Sequence, residues 1–515
     1  MSTTGPTSQT PSGVGLDAER AAGSLSSAGT ARSFAPIGVA PGAPDASGRV
    51  GARRGPSGAR GPRRAAPPPV PESSAVPATR RPPSSIRRGR VAVVALALTL
   101  VTAACGQQTG GEVKADNTTT STLNNNAVDP QVTSSAPPTT PAPTLPPIQT
   151  IAGMPPVVDP ANIYSEAGAN KMNPATAGAL SRVYVPNEVS GTLTVIDPAT
   201  RTVIDTVSVG VIPQHVVPSY DMKTLYVLNN SSNTIVPIDP LTGKTGKAIP
   251  VDDPYNLYFT PDGAEAIIVA EAKQRLDFAD PHTFAVHSQL QLQCDGLNHL
   301  DYSIDGRYLI ATCEFEGTLV KIDIATKKVV GTLKLDIGPS GKVNPIKQIT
   351  QPQDVRVAND GKVFYVADLI TDGVYVVDGE SFTQTGFIKT GTAAHGLYPS
   401  RDGQKLFVVN RGTNTIPAPG SFKGKADGSI AVLDFKTQQV EATWPVPNHG
   451  SPDMGNLTAD GTQLWLGGRY DAEVYVFDTT TGALVDRIKA GQNPHGLTVW
   501  PQPGRFSFGH TGNMR

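Results

Sequence analysis

Between residues 182 and 500 the chain sets short apolar runs between clusters of Asn, Asp, Gly and Pro, seven times over in one order. One apolar run ends in Tyr-Val-x-Asn or a variant of it, the next ends in Asp, and a third leads to a Gly/Pro turn. The closing aspartates are Asp197, Asp239, Asp280, Asp323, Asp378, Asp434 and Asp478, spaced 41 to 44 residues apart except for gaps of 55 and 56 on either side of Asp378. In the second repeat the pattern predicts strands over 224–229, 234–239 and 247–251. Runs of four to six β-branched or aromatic residues bounded by turn formers read as strands, and no helical period interrupts them. A period near 40 built from short strands marks a β-propeller with one four-stranded blade per repeat. The expectation is an all-β, seven-bladed β-propeller.

The repeated carboxylates are turn formers. In Ile-Asp-Pro-Ala-Thr (196–200) and Ile-Asp-Pro-Leu-Thr (238–242) the Asp opens a turn that Pro initiates. Its side chain accepts hydrogen bonds from backbone N–H groups two or three residues on, which builds the hairpin after the third strand of each blade. None of these aspartates is read as catalytic. Asp262-Gly263, Asp305-Gly306, Asp360-Gly361, Asp402-Gly403 and Asp460-Gly461 turn the first strand into the second, with Gly supplying a positive φ. The last full repeat ends near Gly491, yet one more first strand follows over 494–500, while the first repeat opens on a second strand at Arg182. The carboxyl-terminal strand is therefore expected to complete blade one from inside and leave no free edge. This assigns 161–503 to the propeller and 504–515 to a tail.

The phrases Val-Tyr-Val-Pro-Asn (183–187), Thr-Leu-Thr-Val-Ile-Asp-Pro-Ala-Thr (192–200) and Gln-Asn-Pro-His-Gly-Leu (492–497) resemble the YVTN-type β-propeller repeat family of bacterial and archaeal cell-surface and periplasmic proteins. The resemblance covers residues 182–500 and rests on strand and turn residues. It implies an extracytoplasmic seven-bladed propeller and carries no agreed reaction.

The amino-terminal third reads as an address. Residues 1–90 are rich in Ala, Gly, Pro, Ser and Arg without a hydrophobic period, a disordered leader by composition. Arg87-Arg88-Gly89-Arg90 then precedes the apolar stretch 91–101 and Thr-Ala-Ala-Cys (102–105), the order of a signal peptide. The apolar stretch is short of the roughly 20 residues that a membrane span needs. Small residues before a lone Cys resemble a bacterial lipobox, which makes Cys105 the candidate lipidation site, although Thr102 stands where Leu is usual. So long a leader implies a true start further along, with Val76 as a candidate. Residues 106–160, rich in Thr, Pro, Ser and Asn at their amino-terminal end, are expected to be a tether that stands the propeller off the membrane.

Charge and cysteine count narrow the classes. With 43 Lys+Arg against 44 Asp+Glu, nothing points to nucleic acid as a partner. Of three cysteines, Cys294 and Cys313 remain as an even pair beside Cys105. Both fall at strand ends on one face, which makes them a candidate disulfide in an oxidising compartment.

A binding face follows from the loops. The extra residues around 336–350 and the insertion Gly412 to Gly428 both fall on the face where second strands end, the usual place for a site on a rigid scaffold. His215, Asn256, His299, Asp354, His395, Asp453 and His495 lead into the seven first strands on that same rim and are the candidate ligand-binding residues. Imidazole and carboxylate there suit a metal or proton transfer. They fall, however, in two registers one residue apart, and adjacent strand positions point opposite ways, which argues against all of them converging. His282, His287 and His510 are excluded as hairpin, side-strand and tail residues. No Ser-His-Asp signature, phosphate loop, haem-attachment motif or zinc spacing occurs, and the sequence requires no cofactor. The preferred reading is a lipid-anchored extracytoplasmic binding module with an unidentified protein or small-molecule ligand. The alternative is a redox enzyme or metal- or tetrapyrrole-binding propeller, similar in fold to haem-binding and copper propellers. A lesser one is a sugar lactonase using Glu271, Asn229 and Asn410.

Overall fold

The computed structural model describes residues 146–343, 347, 349–413, 427–448 and 450–515. Seven four-stranded antiparallel sheets form the blades of a β-propeller. Blade one takes its innermost strand, Thr498–Trp500, from the carboxyl-terminal side and then adds Arg182–Asn187, Thr192–Asp197 and Thr202–Ser208. Arg182 faces Trp500 and Tyr184 faces Thr498 in that closing pair, so the expected seal is present.

Turn chemistry accounts for the repeat. All seven closing aspartates accept a hydrogen bond from a backbone N–H two or three residues on, as Asp197 does from Ala199 at 2.9 Å and Asp434 from Thr437 at 2.8 Å. Gly263, Gly306, Gly361, Gly403 and Gly461 all carry positive φ at the other turn. Burial falls from the axis outward: Pro213–Pro218 is buried throughout, whereas Thr202–Ser208 on an outer edge is mostly exposed. The apolar cores lie between neighbouring blades, where Tyr365, Val366, Leu397 and Leu406 form part of one continuous cluster.

Two segments depart from the sequence reading. Residues 146–160, assigned to the tether, lie against the propeller. Ile151 donates its N–H to Asp305 O at 3.0 Å, Met154 is buried, and further on Ile163 and Asn170 donate to Asn359 and Ala459. This strap crosses the turns between first and second strands in blades four, five and seven, so it covers the face opposite the long loops. Residues 504–515, assigned to a tail, are a buried hairpin. Phe508 donates to Asn513 O at 2.9 Å, Ser507 bridges Met514, and Phe506, Phe508, His510 and Met514 are all at most 3% exposed. The hairpin runs along the inner strand of blade three, with Gly509 bridging Tyr258 and His510 donating to Leu257 O. It rises into the axial channel with His510 at its tip.

Leader residues 1–90, the signal stretch with Cys105, the tether up to residue 145 and residues 414–426 of the long insertion lie outside the described residues. Among the described residues no helix is long and apolar enough to cross a membrane.

Candidate functional site

The inner strands set the site. Pairing aligns Pro213, Pro254, Leu297, Pro352, Ala394 and Pro452 with the last residues of their neighbouring strands, and Pro494 bridges Asn187 in the same way. One residue on from these stand Gln214, Tyr255, Asn298, Gln353, His395, Asp453 and His495. Two residues on stand His215, Asn256, His299, Asp354, Gly396, Met454 and Gly496. The candidates therefore occupy two successive layers.

Both layers face the axis, against the expectation from alternation. Each of the six paired inner strands carries a register shift within its first four residues. Such a bulge puts two residues opposite one and re-aims the side chain that a regular strand would turn away. The candidates also lie beneath the rim rather than on it: none of the seven is more than 2% exposed.

His510, which the sequence reading excluded, joins them and is fully buried. Its ring centroid lies 4.8 Å from His299 and 5.4 Å from His215, while His215 lies 4.8 Å from His495, and His395 lies 6.2 Å from His299. Five of the eight histidines thus form one cluster. Glycine leaves room for this packing: a Cβ on Gly496 would meet His215 Cδ2 at 2.2 Å and Thr511 Cγ2 at the hairpin tip at 3.1 Å. The signal was present in Phe506-Ser507-Phe508-Gly509-His510, which alternates like a strand. Spacings this short leave no gap between these rings for a planar macrocycle. His282 is exposed in its hairpin turn, and His287 lies 3.3 Å from Glu265 on the surface.

In the upper layer Asp453 gathers the cations. Arg411 donates to its Oδ1 through Nε at 2.9 Å and Nη2 at 2.7 Å, and Arg469 donates to Oδ2 at 3.2 Å. His395 Nδ1 stands 3.0 Å from Oδ1 and His495 Nε2 stands 3.5 Å from Oδ2. Burial alone would raise this carboxyl, but Arg411 and its neighbours hold it well below the usual range. In the lower layer burial pushes His215, His299 and His510 well below the ordinary histidine value, so all three are neutral imidazoles. Deeper still, Asp301 accepts from Asn513 at 2.8 Å and from Arg515 at 3.2 Å, which ties the hairpin to the channel wall.

Above these layers lies a ring that the sequence reading missed. The residue that follows the second strand of each blade is Glu188, Asn230, Glu271, Glu314, Leu369, Arg411 and Arg469 in turn. Its charge is segregated, acid on blades one, three and four and base on six and seven. Glu188 is paired with Arg469 at 2.9 Å. Glu314 accepts from Asn298 at 2.9 Å, and burial raises its carboxyl. Burial, then Glu314, Asp253 and Glu188, push Glu271 up to about 8. Asn229 and Asn410, the other lactonase candidates, direct their amides at Thr234 Oγ1 (3.3 Å) and Ser429 Oγ (3.2 Å), in the role of turn braces. On the same face Cys294 and Cys313 are joined by a disulfide.

The YNCE-like beta-propeller family matches this chain over residues 146–286 and 345–503. The seven-bladed beta-propeller protein Rv1057 of Mycobacterium tuberculosis is 31% identical over 132 residues. That stretch is 19% of this chain and 33% of the relative, so the match spans about a third of the relative's length. A functionally unknown protein from Desulfotomaculum acetoxidans is similar in structure at 15% identity and a TM-score of 0.49, over 62% of this chain and 99% of that one. Kuenenia stuttgartiensis hydrazine synthase is similar at 16% identity and a TM-score of 0.44, over 55% and 88% respectively.

Proposed function

The chain belongs to the YNCE-like β-propeller family, and on that premise we infer that it is a binding module whose open face takes a positively charged group of a small ligand or partner. The observation that carries this reading is Glu271. It is half-buried beside Glu314 and Glu188, its carboxyl is raised to about 8, and no cation is paired with it among the described residues. Like charges held together this way are relieved by a bound cation. The strap and the hairpin close the opposite face, which leaves the loop-bearing side as the approach. Attachment of the exported chain to a membrane through a lipid on Cys105 completes the proposal. It rests on the sequence order at 87–105, and the Cys294–Cys313 bridge supports an oxidising compartment.

A thermal-shift panel of small amines such as spermidine and of lysine-bearing peptides, followed by calorimetry, tests the site. Binding is expected to tighten as pH rises past about 8, because the cation favours the ionised form of Glu271. The double substitution Glu271→Gln, Glu314→Gln should weaken it at least about tenfold, the loss of a charge-assisted contact. Binding that ignores both the substitution and the pH would refute the assignment.

A further inference from the structure

We propose that His215, His299 and His510 form a buried site for one monovalent copper ion, Cu(I), completed by the tip of the carboxyl-terminal hairpin. The three side chains are fully buried, and one ring nitrogen of each lies within 4.8 Å of the others. Nε2 of all three has no hydrogen-bond partner. A buried nitrogen without a partner costs on the order of 1–3 kcal/mol, so three at one place mark a missing ligand. With metal–nitrogen bonds of about 2.0 Å, ligand atoms sit at most about 4 Å apart, and small ring movements close the site.

Second contacts define the tautomers. His215 Nδ1 donates to Tyr255 O at 2.9 Å, which leaves a lone pair on Nε2 as a metal ligand requires. Asn256 accepts from Leu257 N–H through Oδ1, so its Nδ2 faces Nδ1 of His299 at 3.1 Å and of His510 at 3.3 Å. In this state the protons of His299 and His510 sit on Nε2. Copper uptake moves each to Nδ1, and the Asn256 amide turns to accept them.

Charge selects the ion. Asp354 shares the layer of the three histidines, with its Oδ1 3.7 Å from His510 Nε2, and is matched there by Arg356; Asp301 and Arg515 lie below, and Asp453 and Glu188 stand against Arg411 and Arg469 above. Each set is neutral, so no net negative charge awaits an incoming cation. The cost of burying a charge grows as its square, and a dication would meet about four times the penalty of a monocation. Imidazole alone accepts copper or zinc; here the uncompensated charge favours Cu(I). The upper imidazoles of His395 and His495, with ring centroids 5.9 Å apart, lie between the open face and the site and offer transit ligands.

The proposal is independent of the rim assignment, since copper uptake and amine binding are read separately. The full chain, purified metal-free, is titrated anaerobically with Cu(I) against bicinchoninate, and with Zn(II) against a chromophoric chelator. One equivalent of Cu(I) is expected, with nitrogen-only coordination in the X-ray absorption spectrum, and with Zn(II) at least about 100-fold weaker because of its uncompensated charge. His215→Gln and His299→Gln should each lower copper affinity at least about 100-fold. Asn256→Asp, whose carboxylate accepts both Nδ1 protons, should raise it, a response that a merely structural Asn256 would not give. Absence of stoichiometric copper in the wild-type chain overturns the proposal, as do unchanged affinity in the histidine variants that fold and zinc binding as tight as copper.

Discussion

Asp453 shows how one residue organises the upper layer: two guanidinium groups and two imidazoles converge on a carboxylate with no exposed surface. Removing one partner of such a group strands the others, which is why these side chains read as a unit rather than as separate candidates. His395 makes the consequence measurable. Burial, with Arg411 second, lowers its pKa from 6.5 to about 4. Above pH 6.5 folded and unfolded chains both leave the imidazole neutral, and stability does not depend on it. Between that value and about 4 the unfolded chain binds a proton that the folded chain refuses, so stability falls as pH falls, by on the order of 3 kcal/mol across the window. His395→Gln, neutral at every pH, should lose that component. Urea midpoints followed from about pH 7 to about pH 4.5 check it, and a variant with the full wild-type pH dependence would show that His395 is not the group responsible.

At the scale of elements, the carboxyl-terminal hairpin departs furthest from its sequence reading. Treated as a tail, residues 504–515 would be dispensable; in the structure they fill the channel with Phe506, Phe508, His510 and Met514. Deleting them uncovers buried Tyr258 and leaves Asp301 without Asn513 and Arg515. The truncated chain should keep its blades yet unfold several degrees lower, since losing one buried charge partner costs about 3–5 kcal/mol. A melting curve that matches the full chain would contradict the plug. Strand and turn positions were legible because their signals are local: alternation, Asp before Pro, Asp before Gly. The hairpin was not, because it earns its burial from a channel that only the closed ring creates, although 506–510 alternates. The inner bulges were equally hidden. Nothing in Pro213-Gln214-His215 announces an extra residue, so the two registers looked divergent where the backbone brings them together. The rim ring of Glu188, Glu271, Glu314, Arg411 and Arg469 was readable in principle as the position after each second strand, but its segregated charge has meaning only once the blades stand in a circle.

For the whole molecule, closure and attachment are separate questions with separate tests. The proposed attachment rests on Cys105: if the lipid sits there, Cys105→Ala should release the chain from membranes into the medium. Retention of the variant at the membrane would reject the lipid. Closure rests on Thr498–Trp500, which pairs Arg182–Asn187 while its polypeptide also reaches blade two, Val216 donating to Gly496 O at 2.9 Å. A chain ending before Pro494 loses the hairpin, the innermost strand of blade one and the contact that joins blades one and two. Two unpaired edges then face solvent, and such edges recruit strands from other chains. This truncation should therefore aggregate, whereas a chain ending at Pro503 should stay free of aggregates at reduced stability. Light scattering on the two together separates the strand from the plug. If both stayed unaggregated with equal melting curves, the closing strand would contribute nothing beyond the hairpin, and the ring would have to be held by the blade-to-blade apolar cores alone.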